Sequence, residues 1–260
     1  MKVICSHDVD HLFIYEHWKD KFIPGLMLRT FADFKSGIID QKGAYKRFRY
    51  RTNRINELVT FNQKNNVPAN FFFGMRNALS LSYSSTVAAP IIKDLSDNGA
   101  FIGLHGISYD SFAKLNEEKT KLDDILGYKS IGVRNHYLRQ NSSTKDLMHN
   151  CGFLFDSTDC EPASSHTLDN GMIEFPISIM DVDVIKPKKK LEEILKETFD
   201  IVEMAIQSGQ DFFVINFHDI YFEKEAYPLH FLWYVRLIEY LAAKGLQFIS
   251  FQDAVGKIKN

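Results

Sequence analysis

The chain has 260 residues, 45% of them hydrophobic and 13% aromatic, which is material for one large core or two small ones. A formal charge of −2 excludes a broadly basic nucleic-acid binder. Three cysteines, Cys5, Cys151 and Cys160, without metal-type spacing exclude a disulfide framework, and no apolar run is long enough to span a bilayer; a soluble, cytoplasmic protein is expected.

The first short apolar run, 3–5, predicts a strand and is followed at once by "SHDVDH", Ser6 to His11. Residues 12–42 then break the pattern and are dense in aromatics: Phe13, Tyr15, Trp18, Phe22, Phe31 and Phe34. An insertion of that length is either a lid or cleft wall, or a pair of helices covering one end of the fold. Helical periodicity at 45–64, 87–95, 117–126, 191–206 and 231–243 alternates with strand-like runs at 69–73, 101–104, 130–133, 153–155, 172–175, 212–217 and 246–251. Gly99, Gly127, Gly209 and Gly245 fall just past helical patterns, where a left-handed residue is favoured. The basic run at 186–190 reads as a solvated face. Such alternation implies right-handed crossovers and a mainly parallel sheet, and continuous apolar strands such as "FFVINF" imply burial on both faces. No Gly-rich phosphate loop follows any strand, so an α/β chain forming a distorted (β/α) barrel over 1–260, one domain with an insertion at 12–42, is preferred to an open doubly wound sheet.

In a parallel barrel the C-terminal ends of the strands share one rim, where chemistry collects. Here five strands end in reactive side chains: Asp8 and Asp10; His105; Arg134 and His136; Asp156 with Asp159 nearby; and His218 with Asp219. A lone His or Asp at a strand end is ordinarily a hydrogen-bonded residue or a helix cap; five together point to a site. Positions two apart on a strand face one way, so Asp8 and Asp10 share one space and need positive partners. Arg134 is a suitable cation, and the carboxylate and imidazole donors suit a divalent metal of the zinc kind.

The order "HDVD", "ANFFFG", "IGLHG", "VRNHY", "FDSTD" and "VINFHD" resembles the polysaccharide deacetylase family, the NodB-homology carbohydrate esterases, over nearly the whole chain. The resemblance implies a NodB-type barrel carrying a metal-dependent hydrolase that removes N-acetyl groups from sugars. It also implies roles: Asp8 as general base, Asp10 and His105 as metal ligands, Arg134 as tether of the base, Tyr137 in the substrate groove and His218 as general acid. Asp156 or Asp159, with Asp181 and Asp183 competing, would support His218.

Two positions depart from that pattern. Tyr109 stands where the family has its second metal histidine, and His136 where it has a proline. His136 as third ligand, Tyr109 or Asp110 in that role, and a site without metal all stay open. "HGISYDSF" and "RNHYLR" are similar to a sub-group of surface-polysaccharide (lipopolysaccharide) biosynthesis proteins, which favours a cytoplasmic sugar substrate. The competing readings are a metal-independent amide hydrolase on the same fold and a non-catalytic glycan-binding protein. His7 is expected in the core, His11 either near the metal or at the start of the insertion, and His149, His166 and His230 on the surface. Trp18 could stack on a sugar, whereas Trp233 lies in an apolar helical stripe.

Overall fold

The computed structural model describes residues 1–161, 163–186 and 189–259, with the side chains of Trp18 and Lys19 outside that description. The stacking role of Trp18 and the centre of the basic run at 186–190 therefore lie outside the described residues.

The strands are β1 (Lys2–Val9), β2 (Asn70–Phe73), β3 (Phe101–Gly106), β4 (Gly132–Asn135), β5 (Phe155–Asp156), β6 (His166–Thr167), β7 (Ile173–Glu174), β8 (Ile177–Met180), β9 (Phe212–Asn216) and β10 (Gln247–Phe248). The helices are α1 (Phe22–Lys35), α2 (Gln41–Arg47), α3 (Ile55–Lys64), α4 (Ser85–Asp97), α5 (Phe112–Leu126), α6 (Thr144–Asn150), α7 (Asp181–Val184), α8 (Leu191–Gln207), α9 (Pro228–Ala243) and α10 (Phe251–Lys259). The sheet runs β6-β7-β5-β4-β3-β2-β1-β9-β8, parallel except at β6–β7, with β10 beside the start of β1. It curls until its two arms meet at a bridge between Cys160 and Ile177, where the Ile177 amide donates to the Asp159 carbonyl at 2.7 Å. The expected distorted α/β barrel is the observed one.

The two-residue period of the strands sorts the core into two layers. Ile4, Phe72, Phe101, Phe155, Val214 and their neighbours point into the barrel, while Val3, Cys5, Phe71, Phe73, Phe213 and Ile215 point outward to the helices. The interior below the rim is filled with aromatic rings. Phe251, from the first turn of α10, stacks on Phe155 at 4.7 Å and meets Phe72 and Phe175 at 5.6 and 5.5 Å. The plug fits because two strands carry glycine beside it: a Cβ on Gly132 would lie 2.1 Å from the Phe155 ring, and one on Gly103 would lie 2.5 Å from Phe72.

Some boundaries differ from the sequence expectation, each for a local reason. The helix expected at 45–64 is two helices. Between them the chain turns back on the insertion: Thr52 N and the Asn53 side chain donate to the Leu12 carbonyl, and Arg54 N donates to Asp219 Oδ2. The run at 246–251 is a strand of only two residues, stopped by a cap in which Asp253 N donates to Ser250 Oγ at 3.0 Å. Strand β8 was not anticipated, since Pro176 divides its apolar run from β7. Residues 12–42 hold a 3₁₀ turn at Ile14–Lys19, then α1, whose Phe22, Leu26 and Arg29 line the cleft at the rim.

Candidate active site

Alternation along β1 decides where its acids go. Ile4 faces the barrel interior, so Ser6 and Asp8 do too, whereas His7 faces out and is sealed among α3 and α9. His7 bonds the Phe217 carbonyl through Nδ1 and Asn62 through Nε2. Asp8 is buried directly above the aromatic plug. Its Oδ1 accepts from Arg134 Nη1 at 2.9 Å and its Oδ2 from Asn216 Nδ2 at 2.8 Å. Arg134 is itself wholly buried. Its remaining donors go to the Ser157 carbonyl and hydroxyl at 2.9 and 2.8 Å, and its guanidinium lies over Phe72 at 4.5 Å. Burial alone would raise the Asp8 pKa, but the charges of Arg134, His105 and His218 together outweigh it and the carboxyl is held below its usual range.

One layer higher, Asp10, His105 and His136 converge, their ligand atoms within 4.8 Å of one another. His105 Nδ1 lies 3.0 Å from the Arg134 carbonyl, and His136 Nε2 lies 2.9 Å from the Leu79 carbonyl. A carbonyl only accepts, so each of these nitrogens carries hydrogen and each neutral ring turns a bare nitrogen inward. Those two nitrogens, His105 Nε2 and His136 Nδ1, are 3.0 Å apart, and each is 3.3 Å from Asp10 Oδ1. Asp10 Oδ1 is buried and accepts no hydrogen bond. Three electron-rich atoms thus face one point. Tetrahedral ligands at zinc bond lengths stand roughly 3.3 Å apart, so the spacing fits a divalent cation with three protein ligands and a further open position. Burial opposes ionisation of Asp10, but where His105 and His136 carry protons toward it, their N–H groups and charge outweigh burial and hold the carboxyl well below the usual range. Tyr109 and Asp110, the other ligand candidates, do not line this cleft.

His218 completes the opposite wall. Its Nε2 is 3.8 Å from Asp10 Oδ2, while its Nδ1 and backbone N–H bind the two oxygens of Asp181 at 2.9 and 2.7 Å. Burial disfavours the imidazolium, yet Asp181 more than compensates and the pKa rises to about 10. Asp181, from the start of α7, is therefore the histidine's partner among the four acids considered. Asp156 follows inward-facing Phe155 on β5 and so points outward, to Lys145 of α6; Asp159 also reaches Lys145, at 3.3 Å. Tyr137 is 52% exposed at the cleft mouth, and it and Leu138 are adjacent non-glycine residues at φ +55° and +52°. Each costs on the order of 1–3 kcal/mol, strain of the kind held at functional turns.

Several contributors were not singled out from sequence. Asn216 and Ser157 hold the Asp8–Arg134 pair. His11, expected either to approach the metal or to open the insertion, lines the cleft; its Nδ1 meets His17 Nε2 at 3.0 Å, and His17 Nδ1 meets Asp20 at 2.7 Å. The Asp20–His17–His11 chain has no spacing signature, because a 3₁₀ turn folds it together. His230 is not a surface residue: it is half-buried and stacks on cleft-lining Tyr221 at 4.2 Å. Trp233 is core, its indole N–H bound to Thr198, and His149 and His166 are exposed.

No family model and no curated protein matches the sequence. Solved structures do match. A protein from Mycobacterium smegmatis named as a polysaccharide deacetylase superposes with a TM-score of 0.66 at 15% identity, over 99% of this chain and 90% of that one. PuuE allantoinase gives 0.62 at 13% identity, over 98% and 88% of the two chains. A protein from Pseudomonas aeruginosa, likewise named as a polysaccharide deacetylase, gives 0.59 at 15% identity over 98% and 88%. At such identities the likeness establishes the fold: this is the distorted (β/α) barrel of the NodB-type deacetylases.

Proposed function

We propose that the chain is a divergent polysaccharide deacetylase, a metal-dependent hydrolase that removes the N-acetyl group from a sugar. The observation that carries this reading is the meeting of two bare imidazole nitrogens and the unpartnered Asp10 oxygen, flanked by an ionised carboxylate and a protonated imidazole. Asp10, His105 and His136 would hold the ion, with zinc the best match to two nitrogens and one oxygen. When bound, it supplies a Lewis acid for the acetamide carbonyl and the attacking water.

The chain's own groups divide the remaining work. Asp8, kept ionised by Arg134 and fixed at both oxygens, takes a proton from the water that attacks the carbonyl. A backbone N–H at the Tyr137 turn steadies the oxyanion. His218 enters protonated because of Asp181 and gives its Nε2 proton to the departing nitrogen. The C–N bond breaks, leaving acetate and a free amine. The cleft is about 310 Å³, at the small end of ligand pockets, and Tyr137, Tyr221, Tyr227 and Phe22 lie around it. These features favour a single N-acetylated sugar unit, as in a cytoplasmic precursor of a surface polysaccharide such as lipopolysaccharide.

The test is release of acetate from N-acetylhexosamines, free and diphosphate-linked, by the parent and by Asp8→Asn. Turnover in the parent and its loss in the variant are expected. Sugar binding without acetate release in the parent would overturn the reading in favour of a glycan-binding protein. Turnover of non-sugar amides alone would leave an amide hydrolase of another substrate class.

A further inference from the structure

We propose that the outer face of α1 docks on an anionic lipid bilayer. One face of this helix packs inward through Phe22, Leu26 and Thr30. The opposite face is also apolar, and it is uncovered: Leu28 is 74% exposed, Phe31 67% and Met27 58%, with Phe34 and Ile38 exposed beside them. Lys21, just before the helix, and Leu28 and Lys35 within it stand seven residues apart and form one row with a lysine at each end, Phe31 lies on the row beside it, and Ile38 follows the end of the helix. An uncovered apolar stripe with lysines beside it is the pattern of a helix lying in a membrane interface, its ammonium groups at the headgroups.

Charge selects the occupant. Residues 12–54 hold ten Lys and Arg against four Asp and Glu, a net +6 in a chain whose total is −2. Glu223 and Glu225 neutralise part of this through Lys42, Lys46 and Arg54, which leaves +4. Asp33, the acid of α1, is tied to Arg47 at 2.7 Å, while Lys21, Arg29 and Lys35 are exposed and form no ion pair among the described residues. A second copy placed face to face would set these cations against their own kind. An anionic headgroup layer complements them. Arg29 also lines the cleft mouth, so docking would bring that mouth to the headgroups. This inference stands on the α1 surface and does not depend on the reaction.

The experiment is co-sedimentation of the full chain with phosphatidylcholine vesicles, with and without phosphatidylglycerol, beside light scattering of the lipid-free protein. The parent is expected to bind the anionic vesicles at least tenfold more than the neutral ones, and to release as salt is raised. Leu28→Ser with Phe31→Ser, and separately Lys21→Gln with Lys35→Gln, should each reduce that binding about tenfold or more. Both pairs are exposed, so an unchanged melting temperature will mark the variants as folded. Binding to neither vesicle, or equally to both, would overturn the proposal. So would a lipid-free dimer that Leu28→Ser with Phe31→Ser dissociates, which would make the face a contact between copies.

Discussion

Asp10 Oδ1 sits 3.3 Å from two imidazole nitrogens and accepts a hydrogen bond from neither. Where no cation is bound, a proton on His136 relieves the same crowding: burial opposes that charge, but Asp10 raises the His136 pKa above its usual value. A proton and the proposed metal would therefore compete for one place. Zinc affinity measured by titration calorimetry should fall steadily as the pH is lowered, and an affinity indifferent to acid would contradict the competition. Asp8 lies outside the ligand set. Asp8→Asn is expected to lower kcat by roughly 10²–10⁴-fold while a metal assay finds the ion retained. Arg134 is wholly buried, and without it Asp8 would be a buried charge held only by Asn216. Arg134→Met should cost about 3–5 kcal/mol in denaturant unfolding; a loss below about 1 kcal/mol would mean the pair contributes little.

The strands do more than carry these residues to the rim, because their alternation chooses which ones enter the site. Phe101, Gly103 and His105 on β3 share one face, as do Gly132 and Arg134 on β4. The lower positions hold the aromatic plug and the upper ones the chemistry. Gly132→Ala would push a methyl into the Phe155 ring and should destabilise by about 1–3 kcal/mol, read as a lower urea midpoint; an unchanged midpoint would mean the plug yields. The same alternation explains how much was legible in the sequence. Strand identities followed from apolar runs, and the rim residues from what ended those runs. Asp156 was misleading because parity with buried Phe155 turns it away. Asp181 was harder to choose, since Pro176 hides β8 and only a short helical turn brings its carboxylate to His218. The break between α2 and α3 depends on hydrogen bonds to Leu12 and Asp219, which no local pattern records.

At the scale of the whole molecule, buried histidines shape stability against pH. Burial lowers the His7 pKa from 6.5 to about 4 and that of His11 to about 3, so both fold neutral. Below pH 6.5 the unfolded chain binds protons that the folded one refuses. His7 alone should thus remove about 3 kcal/mol as the pH falls from 6.5 to 4. Urea unfolding across that window should show this loss, and His7→Asn should flatten it. His218 acts with the opposite sign: its folded pKa of about 10 gives stability that is present below pH 6.5 and fades as pH climbs toward 10. Among the described residues no helix is long and apolar enough to cross a membrane.

Elemental analysis of the purified parent beside His136→Ala tests the proposed binding of one catalytic metal ion by Asp10, His105 and His136. About one zinc-class ion per chain in the parent, lost in the variant, is the expected result. A parent that binds no ion even when zinc is supplied, or a variant that keeps it, would contradict the claim.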